Sequence, residues 1–427
     1  MKSVLVKLGC MACLLSTMPW SSYGQNVLID AEIRPRTEMR DGFKTLTVAG
    51  KDPGIFTSQR TRLGLTYTSG LLNVQVTFQD SRVFGQYGTS SSDASSGLYE
   101  GWAEMLLVPG GSLKIGRQTL KYDDGRLFSA PVWSNTGTTH DLALFKYNLN
   151  DWQLHLGIAY NNSSEISSEM LYANTVKYRS MVFAWLSKEL FTGLNASAIM
   201  VDEGIQDTIG VGIAYKKIKM NHTLTYGGNL KYQTPDNKLS MLGTAYFQAG
   251  KNNKGKDMEG IMAALKVDYT LNDLFSANLG ADYFSGDGMA TDGKQKNFKK
   301  LYGADHAFNG VMDYWDAPLD QGLLDYYGGV TTKFNKLLGL DAAYHLFQTD
   351  KALSTGGKDI GSELDMILNY KLNAQSTLQA GWCCYFKTDN TLVAKKIASG
   401  TKVNFPQWAY VMLTIKPTLF NSAILAK

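Results

Sequence analysis

The stretch ADYFSGDGMATDGKQKNFKKLYGADHAFNGVMDYW, residues 281–315, starts as a strand-like run, becomes a long polar loop with glycines and ends in an aromatic-rich run. A connection of this length without regular structure is uncommon in a compact soluble domain and is usually functional. The surrounding chain explains it, because short alternating runs are joined by connections that are short and long in turn. Tight turns on one side and long loops on the other are typical of a transmembrane β-barrel.

Alternation of polar and apolar residues is clear in the run LNVQVTFQ, residues 72–79, where asparagine, glutamine and threonine share one face and leucine, valine and phenylalanine the other. A soluble β-sandwich shows the same alternation, so the rhythm of the connections decides between the two. The chain therefore predicts an all-β fold, a transmembrane antiparallel barrel of about 18 strands with short periplasmic turns and long extracellular loops. A secreted propeller is the alternative, but the repeated blade motifs that it needs are missing.

Several boundaries follow from this pattern. It predicts the fifth strand at residues 112–120, the eighth at 176–186 with a turn near Glu189, the ninth at 194–201 and the last at 405–415. Residues 202–220 are predicted as a loop, although 209–215 could form a further strand. Aromatic girdles at the membrane interfaces are predicted from six tryptophans: Trp102, Trp133, Trp152, Trp185, Trp315 and Trp408.

The first 24 residues have the features of a secretion signal. Lys2 and Lys7 precede an apolar run at residues 8–15, and Ser22-Tyr23-Gly24 supplies a small-residue cleavage site. The predicted mature protein is a single domain, residues 25–427. A lipoprotein signal at Cys10 is the alternative, but that cysteine has almost no apolar segment before it.

Charge and cysteines exclude other classes of protein. The signal holds two of the 42 basic residues, so the mature chain has 40 against 38 acidic residues and lacks the basic excess of a nucleic-acid binder. The mature cysteines, Cys383 and Cys384, are adjacent on one strand and point to opposite faces, which excludes a disulfide framework. No spaced Cys/His set suggests a metal site.

Basic residues of one parity line the predicted lumen of the first strands, because arginine on the lipid face costs about 2–4 kcal/mol near the midplane. The candidate anion path comprises Arg34, Arg36, Arg40, Arg60, Arg62, Lys114 and Arg126. The candidate luminal counter-charges are Glu38, Glu100, Glu104, Glu363 and Asp365. Rings of arginine and lysine favour anions, but the same arginines could simply pair with carboxylates and stiffen the wall. Arg117 has the opposite parity, which indicates either a bulge or a position above the lipid.

Two loops carry further candidates. The segment Asp123-Asp124-Gly125-Arg126 within residues 121–139 is predicted to fold into the pore as a constriction, and a solvated turn held by its own Asp–Arg pairs is the alternative. Asp287 and Asp292 in the long loop suggest calcium, but their spacing misses the twelve-residue calcium loop.

Catalytic signatures are absent from the sequence. The five histidines are scattered, and neither G-x-S-x-G nor H-E-x-x-H occurs. By parity His155 and His222 could lie on the outer face, where an outer-membrane lipase would need a Ser/His pair, but no nucleophile motif accompanies them. The sequence thus predicts no enzyme and no cofactor.

Three stretches resemble the alginate-export family of outer-membrane porins, in the form common among Bacteroidetes. They are residues 31–65 (AEIRPRTEMRDGFKTL and SQRTRLGL), 113–147 (LKIGRQTLKYDDGRLFSAPVWSNTGTTHDLALFKY) and 285–315 (SGDG and FKKLYGADHAFNGVMDYW). The resemblance implies a monomeric barrel of eighteen strands with an arginine-rich path for anionic polymers and loops that can plug it. The sequence departs from the family in two places. Thr138 and Thr139 stand where relatives often have arginine. Seven residues follow Phe420, whereas barrel proteins often end on an aromatic residue.

Together these observations predict an outer-membrane channel of a Gram-negative bacterium, embedded in lipid and acting as a monomer. It is expected to pass small polar or anionic solutes by passive diffusion, with acidic, alginate-like oligosaccharides as candidate cargo. The alternative is a surface-exposed enzyme or adhesin that uses the barrel as an anchor.

Overall fold

Each barrel strand that the structure describes pairs antiparallel with the next barrel strand along the chain. The computed structural model describes residues 24–86, 96–168, 172, 178–206, 219–288, 292–316 and 319–425. Within these ranges the barrel strands are β1 (Asn26–Asp41), β2 (Gly54–Thr68), β3 (Leu72–Val83), β4 (Ser96–Val108), β5 (Gly111–Gln118), β6 (His140–Leu149), β7 (Trp152–Tyr160), β8 (Ser180–Phe191), β9 (Leu194–Gln206), β10 (Met220–Gln233), β11 (Leu239–Gly250), β12 (Ile261–Asn272), β13 (Phe275–Phe284), β14 (Leu323–Lys333), β15 (Leu338–Gln348), β16 (Asp359–Asn373), β17 (Ser376–Phe386) and β18 (Gln407–Ile415). The predicted signal, apart from Gly24, lies outside the described residues and stays a prediction.

The sheet closes between its first and last strands. Strand β18 pairs antiparallel with β1, with Tyr410 opposite Glu38 and Met412 opposite Arg36. A short strand at Thr418–Asn421 continues the pairing along β1 toward its start. Closure leaves no unpaired edge on a sheet of this size, so the predicted 18-strand antiparallel barrel is confirmed.

Connections alternate in length as the sequence predicts. The turns 69–71, 109–110, 150–151, 192–193 and 234–238 are short, whereas the connections 42–53, 119–139 and 387–406 on the other side are long. The longest runs from 285 to 322, between β13 and β14. Both ends of the described chain lie on the short-turn side.

Apolar side chains cover the outside of the wall. Leu63 is 50% exposed, Ile158 60% and Leu279 70%, and each has polar or small residues beside it on the opposite face. On β1, Ile33 points outward while Arg34 and Arg36 are buried inside. This period-2 pattern places the oily face toward lipid and the polar face toward the lumen.

Helices are few and short in the described chain. Helix α1 (Asp389–Ala394) has a capping box in which Thr388 and Thr391 bond each other's backbone N–H, and α2 (Ser422–Leu425) follows the last strand. None of the described helices is long and apolar enough to cross a membrane.

The hydrophobic core lies inside the barrel, near the side of the long loops. Phe128, Met312 and Trp315 from two loops pack there with Phe347 and Tyr385 from the ends of wall strands. Apolar burial therefore holds loops inside the lumen in addition to the outward-facing apolar band.

Some predicted boundaries are wrong. Strand β8 begins at Ser180 and continues to Phe191, so the turn lies at 192–193 and not near Glu189. Strand β9 extends to Gln206, which places 202–206 in the wall, and most of the remaining predicted loop, including 209–215, lies outside the described residues. Strand β5 ends at Gln118, and β18 begins at Gln407. At the end of β9, Asp202 takes the outward position where alternation would place an apolar residue, so the pattern does not mark the continuation of this strand.

The predicted tryptophan girdle is wrong for most of its members. Trp152 is 42% exposed on the outside, but Trp315 and Trp408 are fully buried. Three further tryptophans contact groups in the interior: Trp102, Trp133 and Trp185. An indole N–H needs an acceptor when buried, and the charged interior supplies one for Trp408 and Trp185 at Glu38 and Asp123.

Candidate functional site in the barrel lumen

Two long connections fold into the lumen. Inner loop A comprises residues 119–139, between β5 and β6, and inner loop B comprises the described residues between 285 and 322. Arg34 of β1 donates to the carbonyl oxygens of Trp133 at 2.9 Å and Ser134 at 3.1 Å, and to that of Val132. Arg60 of β2 donates to Ser134 O at 2.8 Å and to Glu32 at 2.7 Å. Both guanidinium groups are only 1% exposed and so contact loop A rather than open water.

The next inward-facing residue of β1, Arg36, also binds loop A. Arg36 donates to Trp133 O at 2.9 Å, and its guanidinium lies 3.7 Å from the centre of the Trp133 ring. Glu38 accepts from Arg36 at 2.8 Å and from Arg40 at 2.9 Å, and also from the indole of Trp408. This network therefore contains the carboxylate pairs that were the alternative to an anion path, together with a contact to loop A that the sequence did not predict. Its members are Arg34, Arg36, Arg40, Arg60 and Glu38.

The Asp123-Asp124-Gly125-Arg126 segment reaches the opposite wall. Asp123 accepts from Ser197 at 2.6 Å and from Trp185 at 2.9 Å. Asp124 accepts from Thr244, and Arg126 forms a 2.7 Å ion pair with Asp282 of β13. The Asp124–Arg126 pair, at 3.0 Å, is also present. Loop A thus crosses the lumen from β1 and β2 to β8, β9, β11 and β13, which is the geometry of a constriction.

Loops A and B are joined by backbone hydrogen bonds. Tyr302 N donates to Leu127 O at 2.8 Å, Ser129 N to Tyr302 O at 3.0 Å and Ala304 N to Gly125 O at 3.0 Å. A Cβ at position 303 would collide with the carbonyl oxygen of Arg126, so glycine at this position permits the close approach. The ring of Tyr302 stacks on that of Phe128 with 5.6 Å between centroids.

Loop B is in turn bound to the strands β16 and β17. Met312 N donates to Glu363 at 2.7 Å and Val311 N to Asp365 at 3.4 Å. The indole of Trp315 donates to the hydroxyl of Tyr385 at 3.1 Å. The predicted counter-charges Glu363 and Asp365 therefore hold a loop backbone inside the barrel.

Ionisation in the loops follows burial and partners. Burial raises the pKa of Asp123, although hydrogen bonds from Ser197 and Trp185 oppose the change. Burial would lower the pKa of Arg126, but Asp282 and Asp124 outweigh it and raise that pKa. Burial lowers the pKa of Lys395, beside α1, to about 8. The Arg126 guanidinium is thus protonated at physiological pH.

The remaining predicted lining residues lie lower on the same side of the wall. Arg62 bonds Gln79 at 2.8 Å and stacks over the Tyr99 ring at 3.7 Å. Lys114 lies 3.7 Å over the Trp102 ring. Glu100 accepts from Trp102 and Thr119, and Glu104 pairs with Lys146 at 2.6 Å. Their side chains are luminal, and their part in an anion path stays a prediction.

An acidic region on the far wall was not predicted. Asp282 of β13, Asp325 of β14 and His345 of β15 lie close to Glu363 and Asp365, with a 2.9 Å contact from His345 to Asp325 and a 3.8 Å contact to Asp365. Inward parity in the runs GADYF and LLDYY would have placed the first two aspartates in the lumen. The lumen therefore has a basic wall at β1–β2 and a more acidic wall at β13–β16.

Two cavities lie below the loops. One of about 300 Å³ is bounded by Arg126, Asn309, Tyr327, Asp341 and Asp365. A larger one of about 540 Å³ is bounded by Asp123, Lys231 and Asp268. Leu242 and Lys266 line both, so the two cavities adjoin along β11 and β12.

Among the residues that the structure describes, the candidates for catalysis and metal binding do not assemble into a recognisable site. His155 faces the lumen, where it bonds the hydroxyl of Tyr122 at 3.0 Å, so its predicted outward position is wrong. His222 does face outward and pairs with Asp202 at 2.8 Å. Asp292 pairs with Lys296, and the described residues contain no group of three or more His, Cys, Asp or Glu that could hold a metal ion.

Arg117 resolves the parity question raised by the sequence. It lies on the outer face and forms a 2.7 Å pair with Asp141, with both side chains largely exposed. Its strand pairing shows no bulge at this position. Arg117 is therefore outside the lumen, near the extracellular end of β5.

Comparison with known proteins agrees with this architecture. A family model described as "Alginate export" matches residues 26–405. The structures of OccK3 (OpdO) from Pseudomonas aeruginosa and OccAB1 from Acinetobacter baumannii are similar, with TM-scores of 0.64 and 0.62 and identities of 13% and 12%. Each alignment covers 92% of this chain, and 96% and 97% of the other chain respectively. These neighbours are outer-membrane porins. No curated protein matches the sequence.

Proposed function

Because the chain belongs to the alginate export family, we propose that its barrel passes small polar or anionic solutes by passive diffusion, with acidic oligosaccharides of the alginate type as candidate cargo. The protein is an outer-membrane channel of Gram-negative bacteria. The proposal for the mature form is a monomer of residues 25–427 that needs no bound cofactor.

The observation that carries the proposal is a polar luminal wall with cavities beneath two hydrogen-bonded loops. The cavities adjoin and lie beside side chains of both charges. Polar groups lining a pore replace part of the water that a solute loses on entry. Loops A and B would set the width, because they cross the lumen and are bound to both walls.

Anion preference would depend on only some of the predicted basic residues. Arg34, Arg36 and Arg60 already donate to loop A and to carboxylates. Arg62 and Lys114 form no ion pair among the described residues, and contact a glutamine and aromatic rings instead. These two residues are therefore the stronger candidates for contact with a carboxylate on a passing solute.

Replacing Arg62 with alanine is expected to shift the reversal potential in a KCl gradient toward lower anion preference. The change removes a luminal cation that is not part of the contact with loop A. Planar-bilayer recordings of the wild type and the variant measure it directly. Arg117→Ala is the matched control, since that arginine lies outside the lumen. An unchanged reversal potential would show that Arg62 has a structural role, and a protein that conducts no ions would contradict the channel itself.

A surface enzyme remains the second candidate because of one arrangement on the outer face. Ser180 and His222 lie on either side of Gly204, and Asp202 bonds His222. No hydrogen bond joins Ser180 to His222 among the described residues, so the serine lacks the base contact that activates a nucleophile. We expect no hydrolysis of phospholipid vesicles by the purified protein. Hydrolysis that disappears in Ser180→Ala would favour the enzyme instead.

A further inference from the structure

We infer that the 300 Å³ cavity beneath loop B is a binding site for a small solute that carries an ammonium group, of about the size of an amino sugar. This site deepens the proposed function and rests on it, because the solute reaches the cavity through the pore. The cavity lies between the Phe308-Asn309 tip of loop B and strands β12–β16. Its volume is at the lower end of the range for small-molecule pockets.

The charge of the cavity favours a cation over an anion. The three basic groups on its wall are already paired: Arg126 with Asp124 and Asp282, Lys266 with Asp268 at 2.9 Å, and His345 with Asp325 at 2.9 Å. Asp341 has a different environment, because its oxygens accept from two neutral donors, Thr331 at 2.6 Å and Asn369 at 2.8 Å.

Asp341 is therefore a carboxylate whose hydrogen-bond donors are neutral. Within the described chain no lysine, arginine or histidine nitrogen forms an ion pair with this carboxylate, and its side chain is only half-buried. A carboxylate held in place by neutral hydrogen bonds is ready to accept a charged donor from a ligand. A solute with a carboxylate would instead meet repulsion from Asp341 at the same place.

A buried amide supplies the second part of the site. Asn309 lines the cavity, is 1% exposed, and neither its amide nitrogen nor its amide oxygen has a hydrogen-bond partner in the described structure. Its backbone has φ of 61°, a left-handed conformation that asparagine tolerates better than most residues. Buried polar groups are nearly always paired, so an amide without a partner beside a cavity indicates a missing ligand group or water.

Aromatic and amide side chains complete the walls. Phe308 and Tyr327 present rings, and Asn278 and Thr331 present polar groups on the strand side. This combination suits a ring-shaped solute with several hydroxyl groups, since apolar faces and a few placed polar groups fix orientation. A protonated amino sugar satisfies the carboxylate, the amide and the rings together.

Current block in planar bilayers tests the inference, with glucosamine hydrochloride as the probe and N-acetylglucosamine as a neutral sugar of similar shape. Glucosamine is expected to block the wild-type channel at about tenfold lower concentration, as a hydrogen bond to a charged group would give. Asp341→Asn should remove most of this difference. Asp30→Asn is the matched control, because it deletes the same charge from β1, away from the cavity.

Each outcome separates the inference from the channel proposal. Equal block by the two sugars in the wild type, or a preference that survives Asp341→Asn, would overturn the amino-sugar site while leaving the channel intact. Absence of any conductance would instead contradict the channel. Saturation-transfer NMR on the wild-type protein in detergent, with the same two sugars, would then still decide whether the cavity binds glucosamine, and it also serves if the variant fails to fold.

Discussion

Replacing residues 121–135 of inner loop A with a short Gly-Ser hairpin is expected to raise the single-channel conductance roughly threefold or more, because the cross-section of a pore governs its ion flow. This segment crosses the lumen and contacts both walls through Arg34, Arg60, Asp123 and Arg126. The ends of β5 and β6 can be joined directly, since Gln118 and His140 are paired across the two strands. The wall itself should therefore remain closed.

The matched control shortens a connection that lies outside the lumen. Residues 235–237, in the short turn between β10 and β11, are exposed and lie at the end of the barrel away from loops A and B, so they can be replaced by Gly-Ser. This control should conduct like the wild type. If removal of 121–135 leaves the conductance unchanged, the narrowest part of the pore is elsewhere.

The double variant Arg34→Ala/Arg60→Ala is expected to release loop A from the β1–β2 wall. It leaves Glu32 with a single cation, Lys416, and strips hydrogen bonds from the carbonyl groups of Val132 and Ser134. Breaking one buried ion pair costs about 3–5 kcal/mol. Where local opening governs exchange, this cost corresponds to amide exchange that is faster by about two to almost four orders of magnitude.

Hydrogen–deuterium exchange on peptides that contain residues 127–139 measures this release. Exchange in the paired strands β3 and β7 should change little, which separates loop release from unfolding of the barrel. Arg117→Ala again serves as the control, because it removes an exposed outer pair of small expected energy. Unaltered protection of loop A in the double variant would mean that Arg36 and the far-wall contacts at Asp123 and Arg126 suffice to hold it.

The sequence was informative wherever a residue's face follows from its parity. Arg34, Arg36 and Arg60 were placed in the lumen because the alternation of β1 and β2 leaves no other face for them, and the closed barrel follows from the rhythm of the connections. Parity does not say what a luminal side chain contacts. The partners of Arg34 are about one hundred positions away in loop A, and no local pattern encodes that contact.

The interior aromatic residues failed prediction for a related reason. Trp408 lies at the start of β18, which is also where a membrane girdle would occur, and Trp315 lies within loop B. Their burial depends on loops A and B, which fold into the lumen. The alternation of residues along a strand does not distinguish an aromatic ring that faces lipid from one that packs against these loops. The acidic wall was not predicted for another reason. Asp282 and Asp325 have inward parity, but each is a single carboxylate in a run dominated by tyrosine and leucine.

Three backbone hydrogen bonds join loops A and B, so the two loops move as one unit. They link Tyr302 to Leu127 and Ser129, and Ala304 to Gly125. Neither loop can leave the lumen alone without breaking all three of these hydrogen bonds, and water cannot readily replace the lost partners in the buried interior. Transitions of the pore should consequently be concerted and all-or-none, appearing as discrete current levels instead of a continuum. Substituting Gly303 would uncouple that motion before it altered the wall around it.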